Sequence, residues 1–174
     1  MRLFIAVLLN DQVKLSLQKM QEQLRSQVIR GSFTRPENFH LTMAFLGETS
    51  ENKLPVLHRI IGDINFSPFE ISLKHTGCFK HGDKELWWAG VDLNEPNLPQ
   101  LKSIHGQLTK GLEIEGFPVD KKLFKAHITL GREIRHTEPI VLACPEIVVR
   151  VARVSLMKSE QLGGGVRYTP IVIQ

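Results

Sequence analysis

Phe39-His40-Leu41-Thr42-Met43-Ala44-Phe45 is echoed 87 residues later by Ala126-His127-Ile128-Thr129-Leu130. Both stretches read His, apolar, Thr, apolar. Successive side chains of a strand alternate faces, so residues two apart share one. His40 and Thr42 then point one way, with Leu41 and Met43 behind; His127 and Thr129 repeat this, with Ile128 and Leu130 behind. Each strand offers an imidazole and a hydroxyl on one face and anchors in a core by the other. A lone His in an apolar strand is ordinarily a satisfied structural histidine. Two matched copies facing one cleft gather two acid/base groups and two hydroxyl donors around one substrate atom.

The 174 residues suffice for one substantial core or for two small lobes sharing one. Hydrophobic residues at 42% and charged residues at 23% are ordinary for a globular chain. A formal charge of +4 suits an anionic ligand such as a nucleic-acid end, and equally suits plain solubility. Cys78 and Cys144 stand in no Cys-x-x-Cys or zinc-ligand spacing. They read as free thiols in a reducing, cytoplasmic compartment, with a single disulfide as the alternative. The opening apolar run, Leu3 to Leu9, meets polar Asn10-Asp11-Gln12 at once, which favours a buried strand over a signal peptide. No apolar run approaches the ~20 residues of a membrane span.

Along the chain, Arg2 to Leu9 reads as a strand. Asn10 or Asp11 can cap a helix carrying Val13, Leu17, Met20, Leu24 and Val28, with Gly31 helping to end it. Thr34 to Asn38 reads as a turn-rich approach to the first motif, and Gly47 closes that strand. Thr49 or Ser50 can cap a helix over Leu54, Leu57 and Ile61, with Pro55 in its first turn. Phe69, Ile71 and Leu73 alternate as a strand. Lys74 to Glu85 reads as a hairpin loop, or else as a basic edge of a binding site. Leu86 to Val91 is a strand whose Trp87 and Trp88 serve the core or stack on a base. Leu98, Leu101, Ile104, Leu108 and Leu112 recur at helical spacing, with His105 beside the stripe. Arg132 is expected to end the second motif strand. Ile147–Met157 and Val166–Ile173 read as two strands joined across Gly163-Gly164-Gly165.

The order strand, long helix, motif strand thus occurs at 2–45 and again at about 86–132. No linker separates the halves. Residues 1–174 are therefore expected to form a single bilobal domain of the α+β class, a pseudo-symmetric duplication with antiparallel sheets, helices outside and a central cleft carrying both His-x-Thr strands.

With both motifs in hand, the sequence resembles the two-histidine phosphoesterase superfamily, and within it the RNA 2′,3′-cyclic phosphodiesterases, also called 2′-5′ RNA ligases. The paired His motifs carry this. Arg2-Leu3-Phe4-Ile5-Ala6, Pro36-Glu37-Asn38, Phe45-Leu46-Gly47-Glu48, Trp88-Ala89-Gly90-Val91, Arg132 and Arg167-Tyr168-Thr169-Pro170 extend it over most of the chain. Two departures, Asn10 and Ala126 where relatives often have Pro, are backbone positions. The resemblance implies hydrolysis of a terminal 2′,3′-cyclic phosphate to a 2′-phosphate without metal or cofactor. It implies His40 as proton donor to the leaving 3′ oxygen, His127 as the acceptor that activates water, and Thr42 and Thr129 on the phosphoryl oxygens. Arg132, which follows the second motif at the strand terminus, is expected to contact the phosphate of the anionic RNA end, with a surface salt bridge as the alternative. The expected ligand is an RNA 3′ end or a small cyclic nucleotide, with no membrane and no obligate protein partner, on a monomer. Whether the reverse 2′-5′ ligation belongs to it stays open.

Elementary chemistry agrees. Displacement at a phosphodiester needs a base on one side of phosphorus and an acid on the other, and imidazole, with a pKa of ~6.5, does either job near neutrality. On the residues alone the two histidines are interchangeable. The alternatives are another cyclic or 2′-5′ linked nucleotide as substrate, a non-catalytic module that binds RNA ends, and a metallohydrolase. The last lacks an Asp, Glu or Cys at ligand spacing.

Overall fold

The computed structural model describes residues 1–171. Arg2–Leu8 forms strand β1, and its residues Leu3 to Val7 are all buried. The unbroken apolar run follows from position: β1 lies between β3 and β8, with Leu3, Ile5 and Val7 in the main core and Phe4 and Ala6 packed with Met157, Leu8 and Tyr168 on the other face, so no polar alternation survives. Helix α1, Asp11–Arg25, begins where Asn10 Oδ1 accepts the Val13 N–H at 2.9 Å. It ends at Arg25, before Val28. Gly31 does not cap it but lies in a short strand, β2 (Arg30–Phe33), where the Ile134 side chain occupies the space a Cβ would take.

A 3₁₀ turn at Pro36–Asn38 leads into β3, His40–Glu48, where Gly47 has φ 68°. Helix α2 spans Leu54–Gly62 with Pro55 in its first turn, but neither Thr49 nor Ser50 caps it by side chain; a separate 3₁₀ turn at Glu51–Lys53 intervenes. Strands β4 (Phe69–His81) and β5 (Lys84–Val91) make a long hairpin that turns at Gly82, whose φ is 61°. The expected loop over 74–85 is therefore mostly strand: cross-strand pairing with β5 outweighs its polar composition. Helix α3 is Leu98–Ile114, followed by β6 (His127–Arg135).

The stretch 147–157 is two strands, not one. Ile147–Val151 is β7, and Ser155–Leu162 is β8. They belong to different sheets, and the break at residues 152–154 is the crossing between them. Strand β9, Gly165–Pro170, pairs with β8 across the glycine turn. Of the strand expected over 166–173, positions 172–174 lie outside the described residues.

Two antiparallel sheets result, ordered β3-β1-β8-β9 and β2-β6-β5-β4-β7. The duplication is visible in their registers. On β1, Leu8 faces His40 and Ala6 faces Thr42; on β5, Gly90 faces His127 and Trp88 faces Thr129. Each motif strand thus leans on the first strand of its own half. The next strand inward comes from the other half: β8 completes the first sheet, and β4 the second. Leu3, Ile5, Val7, Leu41 and Met43 of the first sheet and Ile71, Leu73, Ile128 and Leu130 of the second join one continuous core with Leu17, Leu24, Leu101 and Leu108 of the helices.

Candidate active site

His40 and His127 open the two motif strands, which are in contact with one another. Burial along each strand follows the alternation: His40, Thr42, His127 and Thr129 are half-buried, whereas Leu41, Met43, Ile128 and Leu130 are buried. The two imidazoles are held identically. His40 Nδ1 lies 2.6 Å from the carbonyl oxygen of Asn38, and His127 Nδ1 lies 2.6 Å from that of Lys125, in each case two residues upstream. A carbonyl oxygen only accepts, so Nδ1–H is the donor in both bonds and Nε2 is left as the atom that can take or give a proton.

Aromatic rings wall each imidazole. Phe4 packs on His40 at 4.8 Å between centroids, and Tyr168 meets it edge-on at 5.1 Å. Phe79 meets His127 edge-on at 5.1 Å, with Trp88 at 6.1 Å. Trp88 is only 6% exposed and so is floor rather than open stacking surface. Its ring fills the space that a Cβ on Gly77 or Gly90 would need. Trp87 is half-buried and donates its indole N–H to Glu85.

Burial is the main cause that holds both imidazoles below the ordinary histidine value, and the carbonyl bonds oppose it. The remaining causes are all positive charges. Arg132 acts on both rings; His127 and Lys14 act further on His40, and Lys125 on His127. Arg132 therefore sits within the field of both histidines. It does not end β6, which continues to Arg135. Strict alternation from Ile128 and Leu130 would turn Arg132 into the core. Register shifts opposite Trp87 and Trp88, and Glu133 at φ 52°, break the alternation and leave Arg132 exposed. Lys125 Nζ lies 4.3 Å over the Trp88 ring, and Lys14 Nζ donates to the Glu37 carbonyl at 3.2 Å.

The fold sets His40, His127 and Arg132 within one another's field, with Thr42 and Thr129 two residues along the same strands as the histidines. Phe4 and Tyr168 stand in stretches that carry the resemblance but were given no part in the site, and neither were Phe79, Lys14 and Lys125. The two-sided burial of β1 was the available signal for Phe4. Phe79 was hidden by reading its segment as a loop. Two proton-transfer groups, two hydroxyls and an excess of positive charge can together hold an anion and move protons on either side of it.

A family model for LigT-like phosphoesterases matches residues 7–88 and 91–168. An RNA 2′,3′-cyclic phosphodiesterase of Archaeoglobus fulgidus is 37% identical over 134 residues, 76% of this chain and 72% of that one. One from Methanothermobacter thermautotrophicus is 28% identical and covers 99% of this chain and 97% of its own. Among solved structures, TT0787 of Thermus thermophilus superposes with a TM-score of 0.83 at 28% identity, over 99% of this chain and 96% of that chain. Escherichia coli LigT complexed with 3′-AMP gives 0.83 at 25% identity, over 98% and 95%. With the family model matching residues 7–88 and 91–168 and solved structures superposing over nearly the whole length, this chain belongs to the LigT-like phosphoesterase family.

Proposed function

We propose that this protein hydrolyses the 2′,3′-cyclic phosphate at an RNA 3′ end to a 2′-phosphate, by two-histidine acid/base catalysis without a metal. The observation that carries the reading is the matched pair of Nδ1–H to carbonyl bonds, which leaves the Nε2 of each imidazole as its proton-exchanging atom, with Arg132 in the field of both rings. His127 Nε2 takes a proton from water as the water oxygen bonds to phosphorus. The bond from phosphorus to the 3′ oxygen breaks, and His40 Nε2–H delivers its proton there. A 2′-phosphomonoester and a free 3′ hydroxyl remain, and the two histidines have exchanged protonation states. Thr42, Thr129 and Arg132 hold the non-bridging oxygens as charge builds on them. Run with an RNA 5′ hydroxyl in place of water, the same two groups produce a 2′-5′ linkage.

The names of the relatives and the 3′-AMP complex of E. coli LigT support a nucleotide end as ligand. Among the described residues, no three His, Cys, Asp or Glu side chains gather in a group able to hold an ion. No helix there is long and apolar enough to cross a membrane. A monomer working in the cytoplasm completes the proposal. The test is incubation of a defined RNA ending in a 2′,3′-cyclic phosphate, with excess EDTA, and identification of the product end. A 2′-phosphate is expected. A 3′-phosphate, or activity lost to EDTA and restored by a divalent ion, overturns the mechanism.

A further inference from the structure

We infer that Asn38 is a positioning residue for His40, acting through both its backbone carbonyl and its side-chain amide. The inference rests on the two-histidine reading above and adds a part that reading does not contain.

Asn38 closes the 3₁₀ turn before β3 and is 6% exposed. Its Nδ2–H donates to the Val166 carbonyl at 2.8 Å, and its Oδ1 accepts the Tyr168 N–H at 3.2 Å. Those are the two backbone groups a neighbouring strand would engage, so one side chain pairs with the edge of β9 as a strand would. Its own carbonyl is the acceptor for His40 Nδ1–H. The residue whose backbone Asn38 grips, Tyr168, presents its ring edge-on to the His40 ring at an interplanar angle of 89°. Asn38 therefore governs two of the contacts that fix His40. Arg35, in the same loop, lies along the glycine turn of the β8–β9 hairpin, its guanidinium 3.1 Å from where a Gly165 Cβ would stand.

Among the described residues the His127 side has nothing equivalent. The residue whose carbonyl holds it is Lys125, whose exposed side chain lies over the Trp88 and Phe79 rings and grips no strand edge. The geometry is symmetric at the imidazoles and asymmetric one layer out. Loss of the Asn38 amide should therefore disturb one histidine and spare the other. An isosteric carboxylate is a sharper probe than truncation. Ionised, it repels the Val166 carbonyl; protonated, its O–H donates there while its C=O accepts from Tyr168, as the amide does.

The experiment uses the full chain with Asn38→Ala and Asn38→Asp. Imidazole nitrogen resonances are recorded without substrate, and kcat and KM are measured on RNA ending in a cyclic phosphate. His40 resonances should move in Asn38→Ala while those of His127 stay. kcat should fall by about 10- to 100-fold, the scale of a misplaced catalytic group, with KM within about twofold. On a substrate with an activated leaving group, Asn38→Ala should follow the pattern of His40→Ala and not of His127→Ala. If Asn38→Ala does not fold, Asn38→Asp carries the test. Its kcat relative to wild type should be highest at low pH and fall as the carboxyl ionises. Unmoved His40 resonances, equal disturbance of both histidines, or an unchanged kcat beside a lowered Tm would overturn the inference. Wild-type protein that turns over no cyclic phosphate would instead refute the proposed function, and the resonances would still report on the positioning.

Discussion

At the scale of single residues, the strongest expectations concern the imidazoles. His40→Ala and His127→Ala should each nearly abolish turnover, and the double variant should be little worse than either, because both groups serve one transition state. Near-normal kcat in either single variant rules out the mechanism. Burial and positive neighbours lower both values, so both limbs of the kcat/KM profile should lie to the acid side of the ordinary ~6.5. The limbs belong to the coupled pair. A bound anion raises both, so the kcat profile should sit to the alkaline side of the kcat/KM profile; coincident profiles would count against a phosphate between the rings. Thr42→Val and Thr129→Val keep the β-branched shape and remove the hydroxyl. Each should cost about 2–4 kcal/mol in kcat/KM, as loss of a transition-state donor does, and unchanged values would leave the threonines structural. Arg132→Ala should weaken the dependence of KM on ionic strength; an unaltered slope argues against phosphate contact. These five candidates could be named from the sequence because chemistry writes itself in residue type and spacing. Why Arg132 faces outward was not legible there, since a register shift depends on the partner strand and leaves no mark within Gly131-Arg132-Glu133 itself.

At the scale of elements, the His127 strand depends on a shelf. Trp88 lies against Gly77 on β4 and Gly90 on its own strand, where any Cβ would meet the ring. Gly77→Ala should therefore push the indole toward His127, destabilising the fold by about 1–3 kcal/mol as overpacking does and lowering kcat as well. Thermal unfolding and kinetics on the same preparation check this, and an alanine variant with wild-type Tm would show the shelf to be yielding. Helical stripes were legible from their own periodicity: α3 follows Leu98, Leu101, Ile104, Leu108 and Leu112 closely. Strands were less so. Lys74 to His81 looks like loop because its polar residues are satisfied by distant partners such as Asp92 and Glu146. Similarly, Ile147–Met157 looks like one strand because nothing local announces that the chain leaves one sheet for another at Ala152.

At the scale of the whole molecule, the core runs through both sheets and the helices without a break. Unfolding by denaturant should accordingly be one cooperative transition, with fluorescence of the tryptophans on the second sheet and far-ultraviolet dichroism coinciding; separated midpoints would mean that the lobes unfold apart. Its pH dependence has a definite sign. His40 and His127 bind protons more weakly folded than unfolded, so folding expels protons from them. Their contribution is complete above ~6.5 and declines as pH falls below that value. The duplication and the α+β class were legible at this scale from the repeated strand, helix and motif strand. The exchange of strands between halves was not, because both arrangements present the same pattern to the core.

That exchange has a consequence for the birth of the molecule. Within this chain β1 is made before every other strand, yet one of its two neighbours, β8, is made some 150 residues later. Until Ser155–Leu162 emerges, that flank of β1 is an unpaired edge, and Phe4 and Ala6 lack Met157 beside them. All five strands of the second sheet have been made by then, since β2, β4, β5, β6 and β7 all precede β8. Synthesis thus finishes the His127 half first and leaves the His40 half open to the last, a nascent chain with one wall of its cleft built and the other waiting. Long-range closure of this kind is slow and exposes a sticky edge in the interval, so the final hairpin, rather than either motif, sets the moment at which a working cleft exists.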